Sequence, residues 1–439
     1  MDVLQVPFEY YPDPAGGTEV YVAALCRELR ALGVSSAVAA PAPEDASYVV
    51  EDVPVRRYRI PAGGSATPAA HQQALKHSFA AVLAQLRPRL VHFHALSPGI
   101  GPGCAEAVSD AGLPMILTYH TPTLSCPRGT MMAFGSTPCD GRHRPWRCTA
   151  CVGQRLTGRR AAGAVLASVP TALSRAAAST SGRIGTALGL KSAVQRQQAQ
   201  FAAVCARASR VVAVCEWVRA VLLGRGLPPE RVLLSRQGLP QSGAVTPRPI
   251  APRGPLRLCF LGRLDPTKGV ELLLAALAAI PEQEIALDLY GVPSSPAYRD
   301  RLAARIATDS RVRLLSPIPS AAVVQTMQDY DAVLVPSQWL ETGPLVVLEA
   351  HAAGRPVIGS RLGGIAELVR DGVDGWLLPA TDPLAWARLF DTLSQDRSAL
   401  LQRAAMIRPP RTMQQAALDM ASLYRQVWSA SGQVRHGST

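Results

Sequence analysis

The sequence predicts an α/β protein of two Rossmann-like units in tandem, and three observations support this. Its 439 residues exceed what one ordinary core accommodates, and 48 % of them are apolar, which excludes a mostly disordered chain. Short β-branched runs alternate with amphipathic stretches, the pattern of βαβ units and parallel sheets. That alternation lapses at Gly238 to Pro255, GLPQSGAVTPRPIAPRGP, which is dense in Gly and Pro and has no period. Residues 1–240 therefore form a first domain, 241–255 a linker, 256–410 a second domain, and 411–439 a helix and tail returning to the first.

In the first domain Val3 to Val6 reads as a short strand. A loop, Glu9 to Gly17, leads into an amphipathic helix from Thr18 to Leu32, with Val20, Ala23, Ala24 and Leu32 apolar. Ser35–Ala40, Val55–Ile60, Leu90–His94, Met115–His120 and Val211–Cys215 are further strands. Helical patterns lie around His71–Leu86, Gly103–Ala111 and Ser192–Ala208. The second domain restarts the alternation with strands at Leu256–Leu261, Ala286–Tyr290, Val312–Leu315, Ala332–Pro336, Pro356–Ser360 and Gly375–Leu378. Helices fall at Gly269–Ala279, Tyr298–Ala307, Ala321–Met327 and along Glu349, and a last one spans Met413–Trp428. No short internal repeat is visible.

Charge is concentrated. Between Gly141 and Cys215 stand twelve cations (Arg142, 144, 147, 155, 159, 160, 175, 183, 196, 207, 210 and Lys191) and no acid, so 12 − 0 = +12 of the net +13 belongs to one window. It reads either as a solvated insertion, about residues 121–200, or as a surface for anionic lipid or a polyanionic acceptor. Nucleic acid fits less well, since aromatic residues are nearly absent there (Trp146, Phe201) and no recognition motif is visible. No run reaches membrane-spanning length, and Met1-Asp2 runs directly into a strand pattern without a leader. The expected location is cytoplasmic, with the basic segment allowing peripheral contact at the inner face of the membrane.

That compartment favours reduced thiols over a disulfide framework. Among nine cysteines, Cys126-x12-Cys139-x8-Cys148-x2-Cys151 has the count and the close C-x-x-C pair of a thiolate zinc site, and the Gly-, Pro- and Arg-rich loop between has little to bury. A structural zinc, free thiols and two disulfides all fit that spacing. Cys26, Cys104, Cys205, Cys215 and Cys259 sit in helix or strand patterns as small core residues.

The stretch most suggestive of a site is E-T-G-P-L-V-V-L-E, Glu341 to Glu349, after the apolar run Ala332–Pro336. A helix beginning at Gly343-Pro344 uses proline where its missing N–H costs nothing, and its next N–H groups, near Leu345 and Val346, attract anions and hydroxyls. Earlier, Gly262-Arg-Leu-Asp-Pro-Thr-Lys-Gly269 puts Arg263 and Lys268 at a helix start. Both could be solvated surface residues. A basic pair there opposes the helix dipole, however, and suits a bound diphosphate, with Arg for forked contacts and Lys as a point charge.

Gly262-Arg263 with Lys268-Gly269, then Pro336-Ser337, Glu341-x7-Glu349-Ala350, Gly354-x-Pro356 and Gly363-Gly364-x2-Glu367, resembles the second half of a retaining glycosyltransferase of family 4. The first half is similar more loosely, through Gly16-Gly17 after the first strand and His120 ending another. Ala15 stands where the family has a third loop glycine, and Thr121 where relatives often carry Asp. The resemblance implies the GT-B fold, with two domains facing each other across a cleft and the last helix crossing back to the first domain. It implies a nucleotide-diphospho-sugar donor of the UDP, GDP or ADP type, no catalytic metal, and an acceptor that is a glycan, a lipid-linked glycan or a small molecule. A cell-envelope polysaccharide is one such acceptor.

By the same resemblance Arg263 and Lys268 hold the diphosphate, Glu349 the ribose and the loop at Ser316 to Ile318 the base. Glu341, with the N–H groups of Gly343, Leu345 and Val346, lies by the donor sugar, as a positioning group rather than a nucleophile. Gly17 lets its loop approach the phosphates without a Cβ. His120 touches the sugar, while His94 is expected to be structural. The competing readings are another GT-B enzyme acting on nucleotide sugars, such as an epimerase, a phosphorylase, for which no pyridoxal phosphate lysine is evident, and a degenerate binding subunit.

Overall fold

The structure, a computed structural model, describes residues 1–13, 16–60, 67–178, 180, 182–240 and 246–436, with the backbone alone for 431–436. Ala15 and the first five residues of the expected linker lie outside the described residues. The chain folds as two compact units, Met1–Arg236 with Gln414–Thr439, and Gln237–Met413.

The first unit is built on β1 (Val3–Val6), β2 (Ser36–Ala42), β3 (Ala46–Val50), β4 (Val53–Arg59), β5 (Leu90–Phe93), β6 (Met115–Tyr119), β9 (Arg210–Ala213) and β10 (Val232–Leu234). A separate hairpin pairs β7 (Met132–Ala133) with β8 (Thr137–Pro138). The sheet order is β10-β9-β6-β5-β1-β2-β4-β3, parallel throughout except for β3 against β4. Such strands are covered on both faces and so read as continuous apolar runs; the four residues of β1 are all buried. Strand β3, and with it the β3–β4 hairpin turn, is absent from the sequence reading, which places β4 at Val55–Ile60. Its turn is Glu51-Asp52, both in the left-handed region at φ 48° and 62°, and it lacks the Asn-Gly or Asp-Gly pair that marks such turns.

The basic segment folds as successive helices, Pro145–Thr157, Arg160–Ser168, Thr171–Ala177, Gly182–Leu188 and Leu190–Arg207, of which only the last was expected. The first two touch through glycine: a Cβ on Gly153 would come within 2.8 Å of the Gly163 Cα. The final helix, Met413–His436, packs on this unit from Gln414 onward, burying Ala416, Ala417, Met420, Ala421, Leu423, Tyr424 and Val427, with the Arg89 guanidinium 4.5 Å from the Trp428 ring centre.

The second unit has a six-stranded parallel sheet of β11 (Leu256–Leu261), β12 (Ile285–Tyr290), β13 (Val312–Leu315), β14 (Ala332–Val335), β15 (Val357–Ser360) and β16 (Gly375–Leu378), ordered β13-β12-β11-β14-β15-β16. The sequence missed its helix Pro383–Gln395, which Asp382 caps by accepting from the Leu384 and Ala385 N–H groups and which buries Trp386 and Phe390. Among the described residues no helix is long and apolar enough to cross a membrane.

Candidate functional site

In the second unit the chain starts at β11, builds outward through β12 and β13, then returns to add β14 on the other side. The carboxyl ends of β11 and β14 therefore flank a topological switch point, the ligand crevice of open α/β sheets. The loop after β11 carries Arg263 and Lys268; the loop after β14 carries Glu341.

These loops are joined before any ligand is considered. The Asp265 carboxylate accepts from the Thr267 N–H at 2.9 Å and its hydroxyl at 2.6 Å, closing the turn that presents Lys268. Burial raises the Asp265 carboxyl, but the Thr267 hydrogen bonds and the nearby Arg263 charge outweigh it and hold the group below its usual range. Gly269 adopts φ 77°, and a Cβ there would fall 2.0 Å from the Pro336 carbonyl oxygen. Only glycine permits that contact. Across it the Gln338 N–H donates to the Thr267 carbonyl at 2.7 Å.

Lys268 and Glu341 meet directly. One oxygen of the buried Glu341 carboxylate accepts from Lys268 Nζ at 2.6 Å, Ser337 Oγ at 2.8 Å and Trp339 Nε1 at 2.9 Å. Lys268 Nζ also lies 5.4 Å from the centre of the Trp339 ring. The sequence pictured the two charges as contacts to different parts of a ligand; here they form one cluster, and Trp339, which the motif reading passed over, holds both. Three donors on one oxygen fix the carboxylate in place.

Behind Glu341 the backbone is pinned by Gly363, at φ 49°, and Gly364. Cβ atoms there would fall 2.7 Å and 2.9 Å from the Glu341 carbonyl oxygen, which accepts from the Gly364 N–H at 2.6 Å. The next helix is Leu345–Ala352, with Pro344 as its N-cap at ψ 108°, so it begins one residue later than the proline rule suggested. Leu345 and Val346 occupy its first turn half-buried, Glu349 its second turn buried, and a Cβ on Gly343 would strike Gln237 Oε1 at 2.4 Å. Arg263 is exposed, and Ile318 is half-buried in the loop after β13. Of the residues expected at this site, the structure records direct contact for Lys268 and Glu341; the others occupy loops and helix starts of the same unit.

In the first unit Gly17 is the exposed first residue of the helix Gly17–Ala31, and Gly16 N–H donates to Glu19 at 2.9 Å. His120 follows β6 and is 4 % exposed. Its Nε2 lies 3.0 Å from His94 Nδ1, and the Tyr21 ring centre lies 5.0 Å from its own. His94, expected to be structural, is thus the direct partner of the candidate residue. Burial lowers His120 to about 3, and burial with the His120 charge lowers His92 to about 3. Burial also drives His94 well below the ordinary value, so all three imidazoles are neutral.

Among the described residues no group of three or more His, Cys, Asp or Glu side chains is placed to hold a metal ion, so the zinc reading of Cys126, Cys139, Cys148 and Cys151 gains no support here. All nine cysteines are free thiols. Burial pushes the Cys139 and Cys148 thiols up. Cys151 Sγ instead accepts the Phe134 N–H at 3.1 Å, and Arg128 holds the loop by donating to the Cys151 carbonyl at 2.9 Å and Gln154 Oε1 at 2.7 Å.

Comparison with known proteins agrees with this architecture. The chain aligns with D-inositol 3-phosphate glycosyltransferase of Corynebacterium glutamicum at 33 % identity over 195 residues, 41 % of this chain and 46 % of that protein. The enzyme of the same name from Salinispora tropica is 37 % identical over 161 residues, 34 % of this chain and 33 % of that one. The alignments thus span less than half the length of these curated relatives. Among solved structures, sucrose-phosphate synthase from Thermosynechococcus elongatus superposes with a TM-score of 0.66 at 19 % identity, covering 98 % of this chain and 100 % of that one. Anabaena HepE in complex with UDP and glucose gives 0.64 at 17 %, covering 96 % and 99 %. At such identities the likeness establishes the fold, GT-B. The sequence profile described as Glycosyltransferase Family 4 matches residues 15–238, and that described as Glycosyl transferases group 1 matches 247–409. This chain belongs to glycosyltransferase family 4.

Proposed function

We propose that this protein is a retaining glycosyltransferase that moves a sugar from a nucleotide-diphospho-sugar onto a glycan, lipid-linked or small-molecule acceptor. The observation that carries the reading is the Lys268–Glu341–Trp339 cluster at the switch point, a cation and a fixed carboxylate side by side where such sheets take nucleotides. Relatives of the family are named for glycosyl transfer, and a structural neighbour was solved with UDP and glucose. In this reading Lys268 and the exposed Arg263 take the diphosphate, whose departure leaves charge that both cations stabilise. Glu349 takes the ribose, the backbone around Ile318 the base, and the N–H groups of Gly343, Leu345 and Val346 the sugar and phosphate oxygens. Gly17 adds a close backbone approach to the phosphates, and His120 meets the transferred sugar.

Glu341 acts as a positioning group: a carboxylate oxygen already accepting from Lys268, Ser337 and Trp339 is a poor nucleophile. This reading invokes no divalent ion in the transfer step. The test is transfer by the full chain with UDP-, GDP- and ADP-sugars and a panel of acceptors, the product read by NMR. An axial donor giving an axial product supports the reading; an inverted anomeric centre rejects retention, and free epimerised nucleotide sugar points to the epimerase alternative.

The finer localisation belongs to the same proposal: peripheral contact with an anionic membrane through the helices following Gly141. Exposed Trp146, Leu156, Val165, Leu173 and Ile184 lie in the acid-free, arginine-rich window, the composition of an interfacial surface. Co-sedimentation with phosphatidylglycerol vesicles, reduced in Leu173→Glu/Ile184→Glu, tests it; equal recovery with and without vesicles rejects it.

A further inference from the structure

Trp339 touches both charges of the switch-point cluster, and it does so with two different parts of its ring. Its indole Nε1–H donates to a Glu341 carboxylate oxygen at 2.9 Å, while Lys268 Nζ lies over the ring, 5.4 Å from its centre. The backbone reinforces the first contact. The Glu341 N–H donates to the Trp339 carbonyl at 3.1 Å, a bond spanning two residues that closes a γ-turn around the buried Leu340. Gly363 packs on this turn, since a Cβ there would lie 3.0 Å from both the Glu341 nitrogen and the Leu340 Cα. On the other side of Trp339, the Gln338 N–H binds the Thr267 carbonyl, next to Lys268. Trp339 is therefore fixed between the two loops that carry the charges, and it is half-buried.

The two contacts are chemically separable. Lys268 and Ser337 donate to the same Glu341 oxygen as the indole. Without the indole N–H the carboxylate stays bonded, with one constraint fewer on its rotation. Without the aromatic face Lys268 stays bonded to Glu341 but loses the ring beside its charge. An ammonium has three N–H donors, and Glu341 takes one, so a phosphate group can meet the other two without breaking the pair. Phenylalanine at this position keeps an aromatic face and lacks the N–H; leucine lacks both.

We propose that Trp339 is a positioning residue with two roles: its ring face sets Lys268 for the donor diphosphate, and its N–H sets the Glu341 carboxylate for the donor sugar. This rests on the reading that Lys268 meets the diphosphate and Glu341 the sugar. Contacts to the diphosphate act on binding of the nucleotide itself, whereas the placement of the sugar decides how often its anomeric carbon reaches reacting geometry. The face therefore acts on affinity and the N–H on turnover.

The experiment combines calorimetry with UDP, GDP and ADP and steady-state kinetics with the nucleotide sugar turned over in the transfer assay, using the full chain as wild type, Trp339→Phe and Trp339→Leu. Trp339→Phe is expected to bind the nucleoside diphosphate within about twofold of wild type while kcat falls roughly tenfold, the scale of one hydrogen bond to a charged group. Trp339→Leu should show the same loss of kcat together with affinity weakened roughly three- to tenfold, the scale of a cation over an aromatic face. A merely structural tryptophan would lose binding and turnover together in both variants. Equal loss of affinity in the two variants, or full kcat in Trp339→Phe, overturns the proposal. Absence of nucleotide binding by the wild type contradicts the reading of Lys268 itself, whereas wild-type binding and turnover with unchanged variants contradicts only the roles given to Trp339.

Discussion

At the residue scale the molecule is defined by two clusters that differ in charge. Lys268 and Glu341 are a paired cation and anion. Lys268→Ala should weaken nucleotide diphosphate binding by roughly ten- to a hundredfold, the value of one charge-assisted bond, measured by calorimetry. The histidines are neutral. Because burial holds folded His92 and His120 at about 3 against 6.5, the unfolded chain binds more protons between those values. Their contribution to stability is therefore complete above pH 6.5 and is lost as pH falls toward 3. Melting temperature should drop across that window, with a shallower slope in His92→Asn; an equal slope contradicts this. The sequence showed the first cluster through its motif but not Trp339, which has no fixed place in it. It also carried unread signals for the second: Gln5 is a polar residue inside a wholly buried strand, and His92 and His94 share one strand face by their spacing of two. Nothing in sequence joins them to Tyr424, more than three hundred residues away.

At the element scale, glycines decide how the loops meet. Gly269 and Gly372 both adopt φ 77°, yet a Cβ on the first meets the Pro336 carbonyl at 2.0 Å while the second faces open space. Gly372→Ala should cost about 1 kcal/mol in strain alone, and Gly269→Ala more than about 2 kcal/mol, with loss of nucleotide binding as the Lys268 loop shifts. Equal melting temperatures for the two variants contradict the role given to Gly269. Strands and helices with a clear period were legible, most bounds falling within a residue or two. Strand β3 and its turn into β4 were not, because Glu51-Asp52 makes that turn without glycine, and the helices from Pro145 to Leu188 were not, because short Ala-, Gly- and Arg-rich segments carry little periodic signal.

At the scale of the whole molecule the chain leaves its first unit near Arg236 and returns at Gln414, so that unit is completed by residues far along the chain. Removing the chain after Thr412 exposes the pocket of Tyr424, Met420 and Val427 and leaves Gln5 and His92 without the Tyr424 hydroxyl that both of them bond. The truncated protein should lose its first thermal transition while the second unit still melts cooperatively; two intact transitions would show that the helix is dispensable. The tandem of two parallel α/β units was readable from alternation and from one Pro-rich break, because those are local signals. The return of the last helix to the first unit was expected, but its contacts were not, since no local pattern encodes a partner so distant. The fold of the cysteine loop was not legible either, because the Arg128 hydrogen bonds to the Cys151 carbonyl and Gln154 that hold it have no signal in sequence spacing.

The central claim is that the Lys268–Glu341 cluster receives a nucleotide diphosphate, and calorimetric titration of the full chain with UDP, GDP and ADP tests it most directly. Saturable binding of one of them, weakened at least tenfold in Lys268→Ala with the melting temperature retained, is the predicted result. No heat with any of the three, or equal affinity in the variant, would contradict it.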